Sequence, residues 1–291
     1  MCGSSTQSHK VLGKRMNRPQ GKNPRQKVGI TTTVLKCQMC GLIFSNPQPI
    51  PNSIQDHYAI DPKTYWKSDY FKLDDGYFKG EINTLMSLYK FKEGDKALDV
   101  GAGIGKCMIA LNKVGFDTFG IEPSETFYAK AIEYMNIRAD RLTLDSIENA
   151  QLPNDYFGFI TFGAVLEHVY DPSSSIKRAM GWLKVGGIIQ IEVPSSRWLV
   201  SKLINSYYYL RGLDYVTNVS PMHEPFHLYE FSLESFQKNG LVNGYEVIKS
   251  EYYVASTYMP KWLDRIFRPF MKWTNSGMQL CVWLRKNNEP V

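Results

Sequence analysis

The stretch Lys96-Ala-Leu-Asp-Val-Gly-Ala-Gly-Ile-Gly-Lys-Cys-Met-Ile-Ala-Leu111 constrains this chain more than any other. Leu98 and Val100 flank Asp99 at strand spacing, Gly101, Gly103 and Gly105 follow at intervals of two, and Cys107 to Leu111 give an apolar helical face. A second apolar run, Phe116 to Ile121, ends on Glu122. This is a strand, a glycine turn, a helix and a strand closed by an acid. Glycines let backbone approach a ligand closely, and the helix start offers free N–H groups. A carboxylate at the end of the second strand can accept hydrogen bonds from both hydroxyls of a ribose. The unit is therefore built for an adenosine-type ligand. A tight strand-to-helix turn with no ligand is the structural alternative.

Two features argue against a nicotinamide or flavin. The dinucleotide fingerprint is G-x-G-x-x-G, whereas this chain has G-x-G-x-G. Asp99 also stands two residues before the first glycine, where it would repel a pyrophosphate and welcome a cationic ligand.

Asp-x-Gly-x-Gly-x-Gly from Asp99, with Gly120-Ile-Glu-Pro-Ser124 and Gly163-Ala-Val-Leu-Glu-His-Val-Tyr-Asp-Pro172, resembles class I S-adenosylmethionine-dependent methyltransferases of small molecules and sugars. The resemblance covers roughly 37–291 and is strongest over 97–195. It implies a doubly wound, Rossmann-like, mostly parallel α/β sheet of seven strands with an antiparallel last strand. It also implies a cofactor site. The loop Gly101, Ala102, Gly103 and Gly105 would wrap S-adenosylmethionine, and Glu122, with Pro123 behind it, would hold the ribose. Asp99 would act near the methionine amino group, Asp145, Ser146 and Ile147 would flank the adenine, and Phe162 and Gly163 would line the methionyl end. The chain departs from the family at Val185, where proline is usual, and at Gly158, where aspartate is usual. Pro221-Met-His-Glu-Pro-Phe-His227 resembles a catalytic segment of sugar methyltransferases with altered spacing. His223, Glu224 and His227 are its candidate catalytic residues, and His168 reads as a structural support.

The flanks are less regular. Cys37-Gln-Met-Cys40-Gly41 has the form of a zinc knuckle, and Cys2-Gly3-Ser4 looks like half of another whose first cysteine would stand before Met1. Cys2, Cys37 and Cys40 are candidate metal ligands, with His9 as a conceivable fourth; a degenerate knuckle without metal is the competing reading. The chain divides into a basic tail with this knuckle over 1–50, an aromatic helical segment over 51–92 that would lie across the cofactor mouth, and a methyltransferase domain over 93–291 with insertions at 196–230 and 256–276. The net charge of +6 is uneven, because eight cations precede the first acid, Asp56, and leave the remainder at −2. The basic head reads as a solvated tail, and a nearly neutral body gives no case for nucleic acid.

Five scattered cysteines favour a reducing compartment, and no apolar run approaches the roughly 18 residues of a membrane span, so the reading is cytoplasmic. The stripe Trp262, Ile266, Phe270 and Trp273, flanked by Lys261, Arg265, Arg268 and Lys272, reads first as core or lid packing and second as peripheral membrane contact. The expected activity is methyl transfer to oxygen or carbon of a small or carrier-linked acceptor, with a sugar or glycan precursor leading. A non-catalytic S-adenosylmethionine-binding protein and an RNA methyltransferase using the basic head are the alternatives.

Overall fold

Long unbroken apolar runs make central parallel strands, because helices cover both faces of such a sheet. β7 (Phe157–Gly163) is buried at six of its seven positions and β4 (Lys96–Val100) at four of five. These two strands pair in parallel at the centre of a seven-stranded sheet of order β10-β11-β8-β7-β4-β5-β6. β5 (Asp117–Glu122), β6 (Leu142–Leu144) and β8 (Leu183–Pro194) extend it in parallel. β10 (Tyr245–Tyr253) and β11 (Gln279–Lys286) close one side in antiparallel pairing. This is the doubly wound sheet with an antiparallel end expected from the sequence. The computed structural model describes residues 1–16, 31–48, 70–219, 227–254, 257 and 260–287.

Helices α1 (Lys79–Leu88), α2 (Lys106–Lys113), α3 (Glu125–Met135), α4 (Pro172–Trp182), α5 (Leu199–Leu210), α6 (Leu233–Asn243) and α7 (Lys261–Trp273) complete the described body. Ser124 caps α3 as its sequence suggests, accepting from the Phe127 N–H. α4 is capped by Asp171, which accepts from the Ser174 N–H at 3.0 Å. Pro172 takes the first helical position, which its missing N–H suits.

The basic head is not a loose tail. β1 (His9–Met16) pairs antiparallel with β2 (Thr31–Cys37), β2 with β3 (Ile43–Asn46), and β3 with the short β9 (Tyr229–Glu230) from the second half of the chain. The head is fastened at further points. Ser232 and Ser235 hydroxyls donate to the Cys40 carbonyl, the Asn239 amide donates to the Met1 carbonyl, and Arg15 donates to the Val216 carbonyl. Cys37, Cys40 and Leu42 join the main hydrophobic core. Of the eight cations, Arg18, Lys22, Arg25 and Lys27 lie outside the described residues.

Candidate functional site at the switch point of the sheet

Ligands of open α/β sheets bind beyond the carboxyl ends of the strands, where the order of connections reverses. Here that point lies between β4 and β7. A cavity of about 200 Å³ sits there, lined by Asp99, Gly101, Ala102, Gly103, Ile104, Lys106, Cys107, Thr161 and Gly163, with Tyr70, Tyr77 and Phe78 from the preceding segment. The Lys106 ammonium lies 5.0 Å from the Tyr70 ring centre, which ties that segment to the start of α2.

The glycine loop is fixed from both sides. Gly101 and Ala102 N–H groups donate to the Ile121 carbonyl at 2.8 and 2.9 Å. Gly101, Gly103 and Gly105 have φ of +70°, +55° and +81°. A Cβ on Gly105 would stand 2.5 Å from Ile137, whereas a Cβ on Gly103 would meet nothing within 4 Å, so the loop is open to a ligand at its middle glycine.

Glu122 is buried and both its oxygens are engaged. The Gly103 N–H donates to Oε2 at 2.7 Å and the Ser124 N–H to Oε1 at 2.8 Å. A carboxylate has about four acceptor sites, so room remains for ligand hydroxyls. Burial pushes the Glu122 pKa up to about 7 against these two hydrogen bonds. Asp99 is also buried, and burial together with the Glu122 charge raises it to about 8. Two carboxyls, with no cation among the causes acting on them from the described residues, thus share one buried corner.

Asp145 follows β6 beside Glu122, its N–H donating to the Glu122 carbonyl at 3.2 Å. The Ser146 N–H donates to the Asp145 carboxylate at 2.7 Å, while the Ser146 hydroxyl is buried with no hydrogen-bond partner. Ile147 packs in the core. Phe162 does the same and does not line the cavity. Side chains alternate along a strand, so the cavity-facing residues of β7 are Thr161 and Gly163.

Of the three candidate catalytic residues, His223 and Glu224 lie outside the described residues. His227 meets two residues from the loop after β7. Its ring centre lies 4.7 Å from that of His168, edge to face, and ligand atoms of Glu167, His168 and His227 all fall within 4.8 Å of one another. The Leu228 N–H donates to the Glu167 carbonyl at 2.7 Å and holds the two loops together. Burial, with a smaller contribution from the Glu192 charge, raises the Glu167 pKa to about 8, and one of its oxygens is buried without a partner. From the sequence His168 reads as a loop support, and the cues to Glu167 are its place after the strand that ends on Gly163 and in the Leu-Glu-His segment.

The three candidate metal ligands converge in the head. Cys2 and Cys37 Sγ atoms are 3.7 Å apart, and the Cys2, Cys37 and Cys40 thiols all lie within 4.8 Å of one another. His9 is not in this group and packs edge-on against Phe44.

A family model described as "Methyltransferase domain" matches residues 76–250, more than half of the chain. Curated relatives include a ubiquinone biosynthesis O-methyltransferase of Rhodopseudomonas palustris, 25% identical over 167 residues, which cover 52% of this chain and 62% of that protein. Another, from Methylococcus capsulatus, is 30% identical over 125 residues, covering 38% of this chain and 52% of that protein. The chain spans less than two thirds of the length of these relatives. Among solved structures, phosphoethanolamine N-methyltransferase 2 of Haemonchus contortus superposes with a TM-score of 0.52 at 16% identity, covering 84% of this chain and 62% of that one. A methyltransferase of Methanosarcina mazei does so at 0.51 and 15%, covering 71% and 98%. With the sheet order, the glycine loop and the acid closing β5 in place, this chain belongs to the methyltransferase domain family and has the class I S-adenosylmethionine-dependent methyltransferase fold.

Proposed function

We propose that the protein transfers a methyl group from S-adenosylmethionine to a hydroxyl of a small or carrier-linked acceptor. The observation that carries this reading is the buried pair Asp99 and Glu122 beside the open Gly103. Two buried carboxyls want a cation, and Glu122 is oriented by two N–H groups with acceptor sites to spare for a ribose. The orphan Ser146 hydroxyl next to Glu122 is a ready partner for a ring nitrogen or amino group. These residues fit the donor: Asp99 to its ammonium, Glu122 to its ribose, Asp145 and Ser146 to its base, and Thr161 and Gly163 to its methionyl end. When bound, the donor supplies a methyl already activated on a positive sulfur, so transfer is an in-line displacement. The protein's task is alignment and exclusion of water, which can be worth roughly 7–11 kcal/mol.

A hydroxyl acceptor must also lose a proton. His227, with His168 and Glu167 against it, is the described group suited to take that proton at its ring nitrogen. Glu167, raised toward neutrality by burial, adds little negative charge there and serves to orient the imidazoles. The names of the curated relatives support oxygen as the acceptor atom. A sugar or glycan precursor and a lipid-borne phenol are the two acceptor classes to separate. Incubation with methyl-labelled donor and a panel of nucleotide sugars, lipid-linked glycans and polyprenylated phenols tests the proposal. Label is expected on a hydroxyl of one class; donor binding without labelling of any acceptor would leave only a binding protein.

For the head we propose a structural zinc. Tetrahedral thiolates about 2.3 Å from zinc stand about 3.8 Å apart, and the Cys2–Cys37 separation is 3.7 Å. The three thiols would then lock the residues ahead of β1 and the end of β2 to the turn before β3.

A further inference from the structure

The stripe on α7 is not packed against the core. Trp262 is 67% exposed, Ile266 64%, Phe270 45% and Trp273 80%. At about 100° per residue these four fall within one arc of roughly 80°. The apolar surface runs on from this arc through Leu263 and Phe267 to Met271, which is fully buried with Val200 and Val254. The helix thus docks on the protein by one edge of its apolar half and leaves the rest uncovered. Lys261, Arg265 and Lys272 are exposed along one flank of the uncovered arc. The one acid of the helix, Asp264, lies on the inner side, held by Arg268 and Thr257. The outward surface is therefore aromatic, aliphatic and cationic.

A neighbouring helix adds to it. α5 shares the Val200–Met271 cluster and exposes Leu203, Tyr207 and Leu210. Both helices emerge from the same sheet edge as the cavity. α5 follows β8, whose Glu192 pairs with Gly163. β10 ends at Tyr253 opposite Gln279, which pairs with Pro194 at the end of β8, and α7 follows it.

We propose that α7, with the outer edge of α5, seats this edge of the sheet on an anionic phospholipid surface. Charge complementarity selects this occupant. An apolar arc of tryptophan, isoleucine and phenylalanine edged by cations matches the boundary between acyl chains and acidic headgroups. A protein groove would suit this arc only if its rim also carried acids to meet the three cations. No described helix is long and apolar enough to cross a membrane, so the contact is lateral. It sets the cavity mouth toward the lipid and does not depend on which reaction occurs there.

The test is sedimentation of the full chain with phosphatidylcholine vesicles, with and without phosphatidylglycerol, together with tryptophan emission. Binding to the anionic vesicles should exceed that to neutral ones by at least about tenfold and weaken with salt. Trp262→Ala/Trp273→Ala should lose most of it, and Lys261→Glu/Arg265→Glu should abolish the preference for acidic lipid. S-adenosylhomocysteine affinity and far-ultraviolet circular dichroism should be unchanged in both variants, because the altered side chains are exposed. The proposal is overturned if the protein stays in the supernatant with anionic vesicles, or if the tryptophan variant binds them as the wild type does. It is equally overturned if the tryptophans instead hold two copies of the chain together and no vesicle binding is seen.

Discussion

Binding of a cationic ligand should depend on pH in a way set by Asp99. Its carboxyl, raised to about 8 chiefly by burial and further by Glu122, is mostly neutral in the free protein at neutral pH. A ligand ammonium beside it favours the ionised form, so binding must first remove a proton. With a pKa of about 8, roughly 1% of Asp99 is ionised near pH 6 and about a quarter near pH 7.5, and affinity should rise roughly 20-fold over that span. Above about pH 8 Asp99 is mostly ionised already, so the rise should level off there. Calorimetry with S-adenosylhomocysteine at several pH values, in two buffers of different ionisation enthalpy, reads both the affinity and the proton released. Asp99→Asn should bind more weakly and lose most of the slope, keeping only what Glu122 contributes. The same shift has an opposite consequence for the ligand-free fold. Between the ordinary carboxyl pKa and about 8 the folded state holds a proton that the unfolded chain has lost, so this group's contribution falls as pH rises. Asp99→Asn should therefore gain thermal stability on the wild type as pH rises through neutrality. An affinity flat over this range, or a slope retained in full by Asp99→Asn, refutes the reasoning.

His227→Ala should lower turnover about 10²–10⁴-fold with donor affinity nearly intact, and Glu167→Gln should lower it less; a His227→Ala enzyme at wild-type turnover removes this residue as the base. Protein produced with zinc supplied should carry about one zinc per chain, and Cys40→Ser should lose it, as elemental analysis would report; a metal-free wild type defeats the zinc reading. Gly105→Ala combines a left-handed residue with a Cβ 2.5 Å from Ile137, and should cost about 2–5 kcal/mol in denaturant unfolding. Adding Ile137→Val should recover part of that, and a cost below about 1 kcal/mol for the single change would show that the loop is not held as tightly as described.

The β4–α2–β5 unit was legible because its signals are local. Apolar runs, glycines at intervals of two and a closing acid all fall within thirty residues, and backbone sterics allow few other folds. The boundary between α6 and β10 is local in the same way, since Gly244 in a left-handed conformation ends the helix and Tyr245 begins the strand. What stayed hidden depends on which residues meet across the chain. β1 carries Lys10, Lys14 and Arg15 and a register shift between Val11 and Gly13, so its pattern reads as tail until β2 lies beside it. His168 and His227 come together only when two loops close on each other. Phe162 and Thr161 differ by one step in a two-residue alternation, which fixes that they face opposite sides but not which side holds the ligand. α7 shows its stripe plainly, yet periodicity does not tell which edge of its apolar half the protein covers.

The way β9 completes the head bears on how the chain can assemble during synthesis. The β1–β2 hairpin needs only its own residues, but β3 finds its outer partner in β9, and the Met1 carbonyl is met by Asn239, 238 positions later. Chain closure over such distances is slow compared with local structure. The head, made before the sheet it joins, is thus among the last parts to be finished. Leu98, Phe162 and their neighbours can condense earlier, while the exposed edge of β3 waits. A nascent chain halted before Tyr229 should keep that edge open to protease, and release of the remaining residues should protect it. In this protein the amino-terminal head is a late seal on the fold rather than a separate module.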